Sequence, residues 1–188
     1  MKTFIKSIRL TLVFCVFFTL FYILVLWGFS KIAGPNHGLP AVTKLNGKVV
    51  GATNIGQSFG KNVYFWGRPS CAGSGYDAAN SGGSNKGPGN KEYLSEVNRR
   101  IVFFLHHHPY LRRKDIPAEM VTASGSGLDP NISTESAYIQ IKRVAKARGC
   151  SEHRIKAIVD ANTEHPLFGL FGPAKVNVLK LNVALDQI

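Results

Sequence analysis

The sequence predicts an α+β protein with one N-terminal transmembrane helix followed by a compact mixed α/β domain outside the membrane. Three observations carry that expectation. Residues 10–30, "LTLVFCVFFTLFYILVLWGFS", run without a single charge. The residues before them carry Lys2, Lys6 and Arg9 and no acid. The remainder reads in the order strands, helix, strand, two helices, strand, which fits one mixed domain.

At about 1.5 Å per residue the apolar run makes a helix of roughly 31 Å, the thickness of a bilayer's hydrocarbon core. Trp27 near its far end suits the aromatic belt at the membrane–water interface. A cleaved signal peptide is the rival reading, because Gly28 and Ser30 have the spacing of a cleavage site. The run is longer than the ~7–15 residues of a signal core, which favours a retained anchor. The positive-inside rule then makes residues 1–9 a cytoplasmic flank and 10–30 the span. Residues 31–47 read as a linker and 48–188 as an extracytoplasmic soluble domain.

The formal net charge is +12, and beyond residue 31 there remain 19 Lys and Arg against 11 Asp and Glu. These cations are dispersed, with "RRK" at 112–114 and "KRVAKAR" at 142–148 the densest runs. Neither zinc-finger spacing nor an RNA-binding aromatic motif accompanies them, so a solvated basic surface is expected and no nucleic-acid partner. Of the three cysteines, Cys15 falls in the span; an oxidising compartment permits but does not dictate a Cys71–Cys150 bridge.

In the domain, "KVVGA", "NIGQSF" and "NVYFWG" between Lys48 and Gly67 predict short strands, with Phe59, Tyr64, Phe65 and Trp66 as core. Residues 68–90 are a Gly/Ser/Asn/Pro loop, and Pro88 stands where a phosphate-binding loop needs lysine. Residues 91–107 place Leu94, Val97, Ile101, Phe104 and Leu105 on one helical face, after an Asn90 cap and before Pro109. "AEMVTA" predicts a strand. In "TASGSGLDPNISTESA", Gly125 and Gly127 permit the positive φ of a tight turn, and Asp129-Pro130 is extended. Ser133 or Asn131 then caps a helix over 134–148, with Glu135 in its first turn and Gly149 as its stop. Ser151 caps another helix through Ala161, and the chain closes with strand-like Val176 and Val178 and a short helix.

Signals for chemistry are sparse. His106–His108 are adjacent and diverge on a helix, far from a carboxylate, so no metal site is expected. Ser58 and Lys61 form an S-x-x-K pair, the spacing of serine–lysine acyl hydrolases; with 13 serines and 14 lysines such a pair arises by chance about once. An anchored extracytoplasmic hydrolase is therefore the alternative function. Asp77, Asp129 and Asp160 lie in different segments, and no catalytic residue is nominated.

Five segments, "GQSFGKNVYFWGRPS", "YDAANSGGSNKGPGN", "VTASGSGLDPNIS", "QIKRVAKARG" and "VNVLKLNVALD", occur in the order found in the KdpC family. That family is the C subunit of the bacterial Kdp potassium-transporting P-type ATPase, and the resemblance covers nearly the whole chain. It implies a non-catalytic accessory subunit of an ATP-driven potassium uptake pump in the bacterial inner membrane. The implied partners are the channel-like KdpA, the P-type pump subunit KdpB, the small KdpF and membrane lipid. The resemblance implies assembly as the role and, as proposed for the family, a raised ATP affinity of the pump subunit. It implies no cofactor of the chain's own, ATP being met through that pump subunit. A glutamine of the family's "GQ-F" segment, here Gln57, is linked to nucleotide contact, although the basic flank places Gln57 on the side away from cytoplasmic ATP. Within the matched loops Arg68, Ser81, Gly82, Gly83, Gly125, Gly127 and Asp129 read as structural or subunit-contact residues.

Overall fold

The computed structural model describes residues 2–188 and divides into two units, one ending at Ala41 and one running from Val42 to Ile188. In the first, α1 (Lys2–Ala33) is a single apolar helix, long and apolar enough to cross a membrane. It continues through the basic flank and past residue 30, so Lys2, Lys6 and Arg9 lie on its first turns. Phe17–Tyr22 winds as a π-helical stretch. Side chains are exposed all around it, as lipid requires of its solute. Gly34 ends it, and a 3-10 turn with left-handed Asn36 and His37 follows.

The second unit begins with an antiparallel hairpin, β1 (Val42–Leu45) and β2 (Lys48–Ala52), so a strand starts inside the stretch read as linker. Asn46 and Gly47, both at positive φ, make the tight turn that an Asn-Gly pair favours between strands. Next come α2 (Lys91–His107), β3 (Asn131–Ser133), α3 (Thr134–Tyr138), α4 (Ile141–Arg148), α5 (Glu152–Ala161), β4 (Thr163–Glu164), β5 (Lys175–Asn177) and α6 (Val178–Leu185). β5 lies between β3 and β4 in an antiparallel sheet, with Ile132 opposite Val176 on one side and Thr163 opposite Val176 on the other. The core holds Phe65, Phe104, Ile132, Val144, Ile155, Val159, Val176, Leu181 and Leu185.

Helix starts follow the local chemistry. Asn90, Ser133, Ser151 and Asn177 each accept a hydrogen bond from the backbone N–H three residues on, satisfying an otherwise orphaned donor. Gly149, at φ 66°, ends α4 in the left-handed conformation. Val178 is the first residue of α6 rather than part of a strand, because Asn177 caps there.

The expected helix over 134–148 is broken at Ile139–Gln140. The Tyr110 hydroxyl enters the helical ladder at that point: it donates to the Ile139 carbonyl (2.8 Å) and accepts from the Arg143 N–H (3.2 Å). A side chain standing between the i and i+4 backbone groups separates the turns. The "AEMVTA" strand is instead a 3-10 turn, Ala118–Met120, from which Glu119 reaches back to Ser133.

The largest correction concerns "NIGQSF" and "NVYFWG", neither of which is a strand. Residues 62–66 are irregular yet pass through the core, with Phe65 buried. Their backbone is paired by side chains. Asn182 accepts from Phe65 N–H (2.8 Å) and donates to its carbonyl (3.0 Å). Gln140 does the same for Trp66, at 2.8 and 3.2 Å. Arg143 donates to the carbonyls of Asn62 and Tyr64, and Arg148 to that of Val63. Two carboxamides thus take the place of neighbouring strands.

Gln140→Leu therefore leaves a buried N–H, a buried C=O and one Arg143 donor unpaired together. It should cost roughly 2–5 kcal/mol, well above the ~1 kcal/mol expected for Asn90→Ala at a part-buried cap. Urea denaturation of the full chain in detergent, read as a midpoint shift at constant slope, measures the difference.

Candidate functional site

The loop 68–83 and the stretch 122–130 are stitched to one another. Arg68 Nη1 bonds Asp129 Oδ2 at 3.2 Å and Nη2 reaches the Ala123 carbonyl at 3.4 Å. The Ser126 carbonyl accepts both the Ser81 hydroxyl and the Gly82 N–H, each at 2.9 Å. Asp129 Oδ1 accepts from the Asn131 N–H at 3.0 Å, turning the chain into β3. On the other side the Gly56 N–H donates to the Leu128 carbonyl at 2.7 Å. Arg68, Ser81, Gly82, Gly83, Gly125, Gly127 and Asp129, far apart in sequence, are brought into one joint.

The glycines have different duties there. Gly127 has φ 69°, and a Cβ on it would stand 2.7 Å from both Ala72 N and Gly82 O. A Cβ on Gly83 would stand 2.8 Å from the Gly125 carbonyl. Gly125 itself has open space and no positive φ, so the turn conformation belongs to Gly127 alone.

Other residues of the joint carry no signal that the sequence made legible. Ser70 Oγ accepts from the N–H groups of Ala72 and Tyr76, folding 70–76 into a tight loop. Tyr76, at φ 57°, donates its hydroxyl to the Arg68 carbonyl. Burial, with the Asp129 charge nearby, pushes its phenol above the ordinary value, so it stays a donor. A Cβ on Gly56 would meet the Asp129 carbonyl at 2.7 Å. Gln57 is half-buried beside this joint and lines, with Tyr76 and Asp129, a cavity of about 10 Å³, room for one water.

Ser58 and Lys61 share no hydrogen bond among the described residues. Ser58 lines an apolar cleft, whereas Lys61 contributes its carbonyl to the Trp66 indole N–H (3.1 Å). The hydrolase alternative has no support here. Cys71 and Cys150 are both free thiols.

The histidine triplet also has a structural use. His108 is buried; its Nδ1–H donates to the Phe104 carbonyl (2.8 Å), so Nε2 accepts from Arg143 Nε (2.9 Å). Both ring nitrogens are thus engaged within the protein. Arg143 is itself buried, lies 4.1 Å from the Trp66 ring centroid, and donates to Gln140 at 2.7 Å. No carboxylate pairs with it among the described residues; carbonyls, an imidazole and an indole face surround the cation. Burial pulls the guanidinium to about 10, still charged at neutral pH. Burial also pulls His108 to about 4, the Phe104 carbonyl opposing and the Arg143 and His107 charges assisting. Glu119 shows the reverse balance: burial pushes its carboxyl up, but hydrogen bonds from Ser133 and Ser136 outweigh that and hold it below its ordinary value.

Fold and site together define a protein with one helix long and apolar enough to cross a membrane and an α/β domain whose charged and amide side chains hold its loops in place. The family profile described as KdpC, the K+-transporting ATPase c chain, matches residues 4–187. A relative in Phocaeicola vulgatus named potassium-transporting ATPase KdpC subunit is 68% identical over 187 residues, spanning 100% of this chain and 99% of its own length. One of the same name in Bacteroides thetaiotaomicron is 65% identical with the same coverage, and one in Flavobacterium johnsoniae is 50% identical across both whole chains. The chain belongs to the KdpC family.

Two outcomes follow for the site. An unfolded imidazole titrates near 6.5 and His108 in the fold near 4, so the unfolded chain takes up the proton first as pH falls. The stability held by neutral His108 is intact above pH 6.5 and falls as pH drops toward 4, in total by on the order of 3 kcal/mol. Melting of the full chain at stepped pH should show this slope, and His108→Gln should flatten it. Separately, Gly127→Ala should cost more than about 2 kcal/mol through φ strain and backbone contact, while Gly125→Ala stays within about 0.5 kcal/mol. Thermal denaturation of the two variants side by side gives that contrast.

Proposed function

We propose that the chain is an accessory, non-catalytic subunit of an ATP-driven potassium pump, stabilising the assembly from the non-cytoplasmic face of a bacterial inner membrane. The observation that carries this reading is the Arg68–Asp129 joint. Its ion pair and backbone bonds lock two long loops into a fixed surface, which is what a docking subunit needs. The polar groups with depressed or raised affinity for protons, His108, Glu119 and Tyr76, are each turned onto protein partners. The relatives' names supply the pump; the partners in this reading are those the family resemblance implies, a channel-like KdpA, a P-type KdpB and a small KdpF.

Orientation follows from charge. Lys2, Lys6 and Arg9 at the start of α1 favour a cytoplasmic N-terminus, which puts the domain outside. ATP is cytoplasmic, so any rise in the pump's ATP affinity passes through the assembly and not through a nucleotide held at Gln57. The small volume beside Gln57 agrees with that route.

Labelling, co-purification and pump kinetics test the proposal. Impermeant maleimide should label Cys71 from outside intact, outer-membrane-permeabilised cells; labelling only after lysis would reverse the topology. In pull-downs through this chain, the large pump subunits should co-purify from detergent extracts. Loss of the chain should reduce intact complex, whereas Gln57→Ala should leave the pump's KM for ATP within about twofold.

A further inference from the structure

A cleft of about 420 Å³ opens between α2 and the loops of residues 58–60 and 66–69. Its apolar wall is built from Trp66, Phe103 and Phe104, with Trp66 stacked on Phe103 at 5.6 Å between centroids. Arg68, Arg99 and Arg100 line it as well. Arg100 is paired with Glu96 and Arg68 with Asp129. Arg99 has neither an ion pair nor a hydrogen bond among the described residues. Arg68 Nε is buried without an acceptor, the one such side-chain atom among the described residues.

We infer that this cleft is where a partner subunit docks, through a segment presenting an aromatic or long aliphatic side chain next to a carboxylate. The inference rests on the subunit reading above and gives it a place and a chemistry. Phe103 is 57% exposed although it is stacked on a core tryptophan, so an apolar wall is left wet until something covers it. Tryptophan and arginine around an apolar recess are the residue types that dominate binding energy at protein interfaces. The charge asks for an anion: three guanidiniums meet one lining carboxylate, Glu96, and an unpaired cation stands one helical turn from Phe103. Arg68 and Tyr76 belong both to this cleft and to the stitched joint, so the recess is continuous with the fixed loop surface.

The test uses the intact complex in native membranes. With Phe103→benzoylphenylalanine, irradiation should link this chain to a pump subunit, at a segment carrying an apolar residue beside Asp or Glu. Linkage only to lipid, only to a second copy of this chain, or to nothing while the complex stays assembled would overturn the inference. Arg99→Glu should weaken retention of the chain in the purified complex by about tenfold, most strongly at low salt. Its melting should be unchanged, because Arg99 supports no contact of the fold. Changing the cross-linked acid on the partner to lysine should restore retention; unchanged retention in Arg99→Glu counts against the inference as firmly as a silent probe. If the wild-type chain carries no pump subunit through purification, the subunit reading fails and the cleft falls with it. If the wild type carries them and both variants are silent, the cleft alone is wrong.

Discussion

Everything in the domain is arranged around a short irregular segment, residues 62–66, that crosses the core without a strand beside it. A buried backbone must still pair its N–H and C=O groups, and here Gln140, Arg143 and Arg148 of α4 and its N-cap, with Asn182 of α6, do so from far along the chain. This ties the placement of α4 and α6 to one coil. It also explains why a cation sits in the core at all: Arg143 serves two carbonyls, Gln140 and His108 at once, and the Trp66 face covers it. His108 must stay neutral for that arrangement, because a second proton would turn its Nε2 into a donor aimed at another donor. The break at Ile139–Gln140 belongs to the same device, since Tyr110 opens the helix where Gln140 has to turn toward Trp66.

The second constraint is the close approach of two glycine-rich loops. Gly127 and Gly83 are small because backbone atoms lie where their side chains would be, and Arg68–Asp129 closes the contact with charge. Loops of this length ordinarily move; here the two are bonded to each other, and the second also to Gly56. A bonded, partly apolar loop surface is what a subunit held by contacts needs, and membership of the KdpC family gives that surface an assembly to belong to.

Much of this was legible in the residues. The apolar run, the Asn90, Ser133 and Ser151 caps, the Gly149 stop and α2 from Lys91 to His107 all follow from short-range chemistry. Phe65 and Trp66 are core, as their composition predicts. What misled were β-rich segments with glycine in them: "NIGQSF" and "NVYFWG" have strand composition, yet their pairing partners are side chains. The Asn46-Gly47 pair is the local signal for the β1–β2 hairpin turn.

The sequence by itself determined several helix caps and stops, which stretch suits lipid, and which family the chain belongs to, because capping, hydrophobic length and ordered motifs are local properties. Only the tertiary structure decided that Gln140 and Asn182 replace strands, that His108 is buried against Arg143, that Gly127 and not Gly125 needs to be glycine, and that Arg68 meets Asp129. Those are contacts between residues tens of positions apart. Their energies depend on burial and on who stands opposite, which no window of neighbouring residues contains.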